Sequence, residues 1–95
     1  MTEEELEEAT VAIGLWHYDE GHEKPVRIIG LPFDYWYAVG EANGHLEPDE
    51  QPEPLGDEGV LYYPYFAEIA GPGFPTLLQA KGYAQSKVRS PIRWD

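Results

Sequence analysis

The chain has 95 residues, no cysteine and a net charge of −12, with 42% hydrophobic and 14% aromatic residues. That is length for a single domain, and the composition excludes a disulfide framework, a thiolate metal site and a cysteine nucleophile. The acidity sets nucleic acid and anionic membranes aside as partners, and no apolar run reaches the ~18 residues of a membrane span.

Residues 1–9 are dominated by glutamate and read as an acidic flexible arm, at most the first turn of a frayed helix; 10–95 read as one domain. The sign of this segment is opposite to that of a signal or transit peptide, so a cytoplasmic location is expected. Val11–Tyr18 predicts the first strand, with Ile13, Leu15 and His17 on one face. Asp19–Lys24 is a polar turn around Gly21. Pro25 then opens the next strand, because it has no N–H to give to a ladder.

Val26–Val39 is the longest apolar and aromatic run. It predicts a hairpin: strands over Val26–Leu31 and Asp34–Glu41 joined by Pro32-Phe33-Asp34. Both faces of the second strand are apolar, as in an internal strand. Trp16, Trp36, Tyr37 and Phe66 are expected in the core. Ala42-Asn43-Gly44 supplies a turn. Residues 47–58 contain three Pro and six acids and predict an exposed, partly extended loop. Its length marks it as a functional candidate.

Val60–Phe66 predicts the fourth strand, with Pro64 pointing to an edge or a bulge. Adjacent Tyr62 and Tyr63 must point to opposite faces, so either both faces are covered or one ring is exposed for binding. Thr76 and Gln79 have capping-box spacing. A helix over Leu77–Val88 places Leu77, Ala80, Ala84 and Val88 on one face, with Lys81, Lys87 and Arg89 in the half that favours cations. Pro91 stops it, and Ile92–Trp94 predicts a short last strand. The expected fold is α+β: a single small domain, a twisted, mostly antiparallel sheet of about five strands and one C-terminal helix.

Leu15-Trp16-His17-Tyr18-Asp19-Glu20, an acidic turn, Asp34-Tyr35-Trp36-Tyr37-Ala38 and Gly44-His45-Leu46-Glu47-Pro48 together resemble the SH3 family. That family runs ALYDY, an acidic loop, a Trp-Trp-x-Ala strand and a Gly-x-apolar-Pro turn. The resemblance covers about residues 14–48 and departs at the inserted Glu47 and at the missing Asn-Tyr. It implies, as an alternative fold, an SH3-like small barrel with a helical appendage, and an aromatic groove for Pro-rich peptides.

No chemistry-bearing constellation stands out. His17, Asp19, Glu20, His22 and Glu23 match no metal-site spacing and read as solvated turn residues. Residues 47–58 lack the spacing of a calcium loop. Ser86 and Ser90 have no adjacent His, and neither Gly71-x-Gly73 nor Gly40…Gly44 has the context of a phosphate loop. No catalytic residue, metal ligand or cofactor is assigned, and the chain is expected not to be an enzyme. Lys81, Lys87, Arg89 and Arg93, with Tyr83 and Trp94 among them, read as a tail that balances the acidic body. The expected function is a non-enzymatic interaction module that contacts a protein partner, or a second copy of itself as a homodimer. Tyr35, Asp49, Glu50, Glu53, Tyr62 and Tyr63 would form the contact. Two alternatives stay open: an inhibitor or immunity-type protein that neutralises a basic partner such as a nuclease, and a small enzyme with a carboxylate site.

Overall fold

The computed structural model describes residues 2–66 and 69–95, so Met1 of the acidic segment lies outside it. The order is helix α1 (Glu3–Ala9), strands β1 (Thr10–Asp19) and β2 (His22–Leu31), helix α2 (Tyr35–Asn43), strands β3 (Leu61–Phe66) and β4 (Ile69–Ala70), helix α3 (Leu77–Ser86) and strand β5 (Arg93–Trp94). Among the described residues the five strands form one antiparallel sheet in the order β4-β3-β2-β1-β5. The α+β class and the strand number are as expected. The sheet is open, which overturns the small-barrel alternative, and helix is not confined to the C-terminus.

β1 and β2 form the hairpin. Asp19 pairs with His22, and Gly21 takes a positive φ of 85° that a side chain would oppose. Pairing runs up to this tight turn, through Trp16 with Lys24 and His17 with Glu23, so both strands are longer than the polar residues suggested. Pro25 is inside β2 rather than at its start. It lies one residue past the β3 ladder, which begins at Val26, so its missing N–H costs no bond there.

The expected strand over Asp34–Glu41 is a helix. Its sequence is apolar on every side and so carries no period that distinguishes strand from helix. Local capping decides the matter. Pro32 ends β2, the Asp34 carboxylate accepts the Tyr37 N–H at 3.1 Å, and Gly44 closes the helix at φ 70°. The partner of β2 is therefore β3, paired from Val26 with Phe66 to Leu31 with Leu61, across a long stretch of chain rather than a local turn.

The acidic N-terminal segment is also helical. The Thr2 hydroxyl accepts the Glu5 N–H at 3.1 Å, and Glu3, Glu4 and Glu5 occupy the first turn, where the helix dipole favours carboxylates. Leu6 anchors it to the sheet and is buried with Ile29, Leu31, Leu61 and Tyr63.

Helices lie on both sides of the sheet, and the β1 residues Val11, Ile13 and Leu15 stay exposed. α3 lies on one side, with Ala80 and Ala84 fully buried against Ile28, Tyr62, Val26 and Ile92. Alanine at these positions lets the helix approach closely. The Thr76 hydroxyl accepts the Gln79 N–H at 3.2 Å, and the Gln79 side chain meets that hydroxyl at 3.0 Å. The helix stops at Ser86, and Lys87 is its C-cap. α1 and the start of α2 lie on the other face. β3 is internal in strand order, and Pro64 sits at a gap on its β4 side: Tyr62 bonds Phe74 in both directions, the Pro64 carbonyl accepts from Gly71, and among the described residues β4 pairs only with Tyr65 and Phe66. Among the described residues no helix is long and apolar enough to cross a membrane.

Candidate protein-interaction site

The expected contact residues separate into two environments. Asp49, Glu50 and Glu53 are exposed on the segment between α2 and β3. Tyr62 and Tyr63 are 5% and 0% exposed, so no tyrosine row faces solvent and neither ring is available to a partner. The reason is the second helical layer. Adjacent residues of β3 point to opposite faces, α3 covers Tyr62, and α1 with Tyr35 covers Tyr63.

Tyr62 instead holds the end of the acidic segment, and Tyr63 holds the start of α2. The Tyr62 ring is buried while its hydroxyl donates to the Glu58 carboxylate. That bond, then desolvation and the charge of Glu58, raises the Tyr62 phenol above its ordinary value. The Tyr63 hydroxyl accepts the Tyr35 N–H at 2.8 Å and donates to the Phe33 carbonyl at 3.3 Å. Burial raises the Tyr63 phenol, the Tyr35 N–H opposes this, and the nearby Asp34 carboxylate adds to the rise.

Asp34 is central to this arrangement. One carboxylate oxygen caps α2, and the other accepts the Glu53 N–H at 2.8 Å. Further along, Gly56 lies so close to Pro75 that an added Cβ would stand 2.1 Å from the Pro75 carbonyl oxygen. The acidic segment is thus tied through its backbone, while the carboxylates of Asp49, Glu50 and Glu53 remain at the surface. Because only the Glu53 main chain is used in the latch, replacing Asp49, Glu50 and Glu53 together by Ser should change stability by less than about 0.5 kcal/mol per site. A urea melt checks this, and a loss of several kcal/mol would make the carboxylates structural.

Tyr35 is the one expected aromatic that borders open space. It is half-buried at the start of α2 and helps to line a hollow of about 370 Å3 with Leu6, Ile29, Trp36, Tyr65 and Ala70. Trp36, expected in the core, is 46% exposed; its indole N–H donates to the Gly71 carbonyl at 2.8 Å. Tyr35 and Trp36 meet nearly edge-on, at 77° with centroids 5.0 Å apart. The hollow exists because Leu6 docks on the sheet and Trp36 stays at the surface, where the sequence predicts a solvated arm and a core ring. The signal available in the sequence was the single leucine among the N-terminal glutamates.

Charge is strongly segregated. No lysine or arginine occurs between Arg27 and Lys81. Five of the six cations are engaged within the protein. Arg27 pairs with Glu3 at 3.5 Å, and Arg93 pairs with Glu23. Lys24, Lys81 and Lys87 lie over the rings of Tyr18, Trp94 and Tyr83. Lys81 of α3 and Lys87 at its C-cap thus both lie over aromatic rings.

Comparison with models of protein families, with curated proteins and with solved structures finds no match to this chain.

Proposed function

We propose that this chain is a cytoplasmic, non-enzymatic interaction module that binds a basic protein through its acidic half, namely α1, α2 and the segment from residue 44 to 60. The observation that carries this reading is the separation of charge. A latched backbone presents the exposed carboxylates of Asp49, Glu50 and Glu53 in a stretch of chain free of cations. Opposite charge on a partner supplies steering and specificity, and a backbone already ordered loses less entropy on binding. An inhibitor or immunity-type role, in which the acidic half masks a basic protein, is one form of this activity.

A second copy of the chain is the competing partner. Exposed Ile13 and Leu15, beside Pro25 on the part of the sheet that α1 and α2 leave open, favour that reading. Salt separates the two by sign. Binding to decalysine should weaken about tenfold or more as sodium chloride rises from about 50 to about 200 mM, because opposite charges are being screened. Self-association of two bodies of charge −12 should strengthen over the same range. Calorimetry on the first and sedimentation on the second decide the question, and decalysine affinity that ignores salt would sink the basic-partner reading.

A further inference from the structure

Surface aromatic rings in this protein attract its own cations. Lys24 stands 4.5 Å from the Tyr18 ring centroid, Lys87 5.0 Å from that of Tyr83 and Lys81 5.1 Å from that of Trp94. Among the described residues none of these cation–ring contacts involves Tyr35, Trp36 or Tyr65, the three rings that line the hollow beside α1; Arg27, the cross-strand neighbour of Tyr65, pairs with Glu3 instead. We propose that this hollow is a binding site for an organic ammonium group, supplied by a lysine-type side chain, methylated forms included, of the basic partner. The proposal rests on the basic-partner reading and gives that partner its anchoring contact.

The geometry suits this ligand. The face of an aromatic ring carries partial negative charge, and rings set at right angles offer an ammonium group more than one such face. Tyr35 and Trp36 form such a corner, Tyr65 adds a third ring, and Leu6, Ile29 and Ala70 complete an apolar wall for methylene or methyl groups. Trp36 is held in place by its bond to the Gly71 carbonyl, and Tyr35 by its edge contact with buried Tyr63 at 6.1 Å. The surrounding field is negative. Leu6 sits among the glutamates of α1, Glu5 borders the shallower hollow on the other side of Tyr35, and the charge of Arg27 is offset by Glu3. The molecule contains its own contrast. A second hollow of about 380 Å3, lined by Trp16, His17, Tyr18, Lys87 and Arg89, is aromatic but carries cations.

Choline and its uncharged isostere 3,3-dimethyl-1-butanol test the site in the intact protein, with amide and indole N–H resonances as the readout. Choline should move the Trp36 indole and the Tyr35 and Tyr65 amides saturably and leave the Trp16 indole in place. The isostere should bind at least about tenfold more weakly. A peptide Ala-Lys-Lys-Lys-Ala with its central lysine trimethylated should compete with choline and bind more tightly than it does. Both Trp36→Ala and Tyr65→Leu should abolish the choline shifts, and unchanged Ile28 and Ala84 resonances establish that each variant is folded. Equal binding of choline and the isostere, equal shifts at Trp16 and Trp36, or no saturable shift would overturn the ammonium site. A peptide no tighter than choline would overturn a partner side chain as the source. Decalysine binding that responds to salt while choline leaves Trp36 unmoved would remove the site and keep the acidic interaction module. Choline binding without salt-sensitive decalysine binding would remove the module.

Discussion

Tyr63→Ala should lose about 3–5 kcal/mol in a urea melt, a large fraction of the roughly 5–15 kcal/mol that stabilises a small domain. The Tyr63 side chain is fully buried and lies where three parts of the fold meet: Leu6 of α1, Tyr35 of α2 and the strand residues Ile29, Leu31 and Leu61. Gly73 backs onto the same ring, so closely that an added Cβ there would stand 2.8 Å from it. Removing the ring leaves a cavity that these rigid neighbours cannot fill. Tyr63→Phe isolates the hydroxyl. It keeps the ring but leaves the Tyr35 N–H without its acceptor, a loss of about 1–2 kcal/mol.

The same residue predicts a pH dependence. The folded state holds the Tyr63 phenol above its ordinary value of 10.0. The unfolded chain therefore releases that proton first, and the contribution of Tyr63 is complete below pH 10 and is lost as pH rises through the folded value. Tyr63→Phe should flatten the alkaline decline in stability. An unchanged slope between wild type and variant would show that Tyr63 does not titrate in this way.

Asp34→Ala should lose about 2 kcal/mol, the sum of a helix cap and a loop latch of about 1 kcal/mol each. The two carboxylate oxygens serve different donors, the N–H groups of Tyr37 and Glu53. An asparagine side chain has only one acceptor oxygen, so Asp34→Asn should fall between wild type and alanine. Hydrogen exchange separates the two contributions. Asp34→Ala should speed exchange at the Tyr37 and Glu53 amides, whereas Asp34→Asn should speed one of them. If the Glu53 amide exchanged at its wild-type rate in Asp34→Ala, the acidic segment would not be tied to α2. Asp34→Ala should also lower the Tyr63 phenol, since it removes a neighbouring negative charge.

Punctuation was the most legible feature of the chain. Pro32, Asp34 and the Asn43-Gly44 pair each mark a boundary where the structure has one, yet Asp34–Glu41, a strand by its side chains, lies in a helix and its cap. Aromatic and branched residues favour strands, but Tyr35–Asn43 is capped at both ends, and a cap bonds to the first N–H groups of a helix whatever the side chains prefer. Thr76 with Gln79 gave the opposite outcome, because there the cap and the apolar spacing of Ala80 and Ala84 pointed the same way. The acidic loop was legible from Pro48, Pro52 and Pro54. Its tie to Asp34 was not, because that bond is made by the Glu53 backbone and leaves no trace in residue type.

The amino-acid sequence by itself determined the α+β class, the β1–β2 strands, the strand at Leu61–Phe66, the body of α3 and the exposed acidic segment. These follow from alternation, spacing and turn chemistry, all of which act over a few residues. Only the tertiary structure decided that β2 pairs with β3, that Leu6 docks an acidic helix onto the sheet, and that Tyr62 and Tyr63 are both covered while Trp36 is exposed. The physical reason is that a strand's local pattern states which side chains share a face but not what covers that face. Covering depends on helices distant in sequence, and here α1, α2 and α3 bury the tyrosines while leaving the Tyr35–Trp36 corner open.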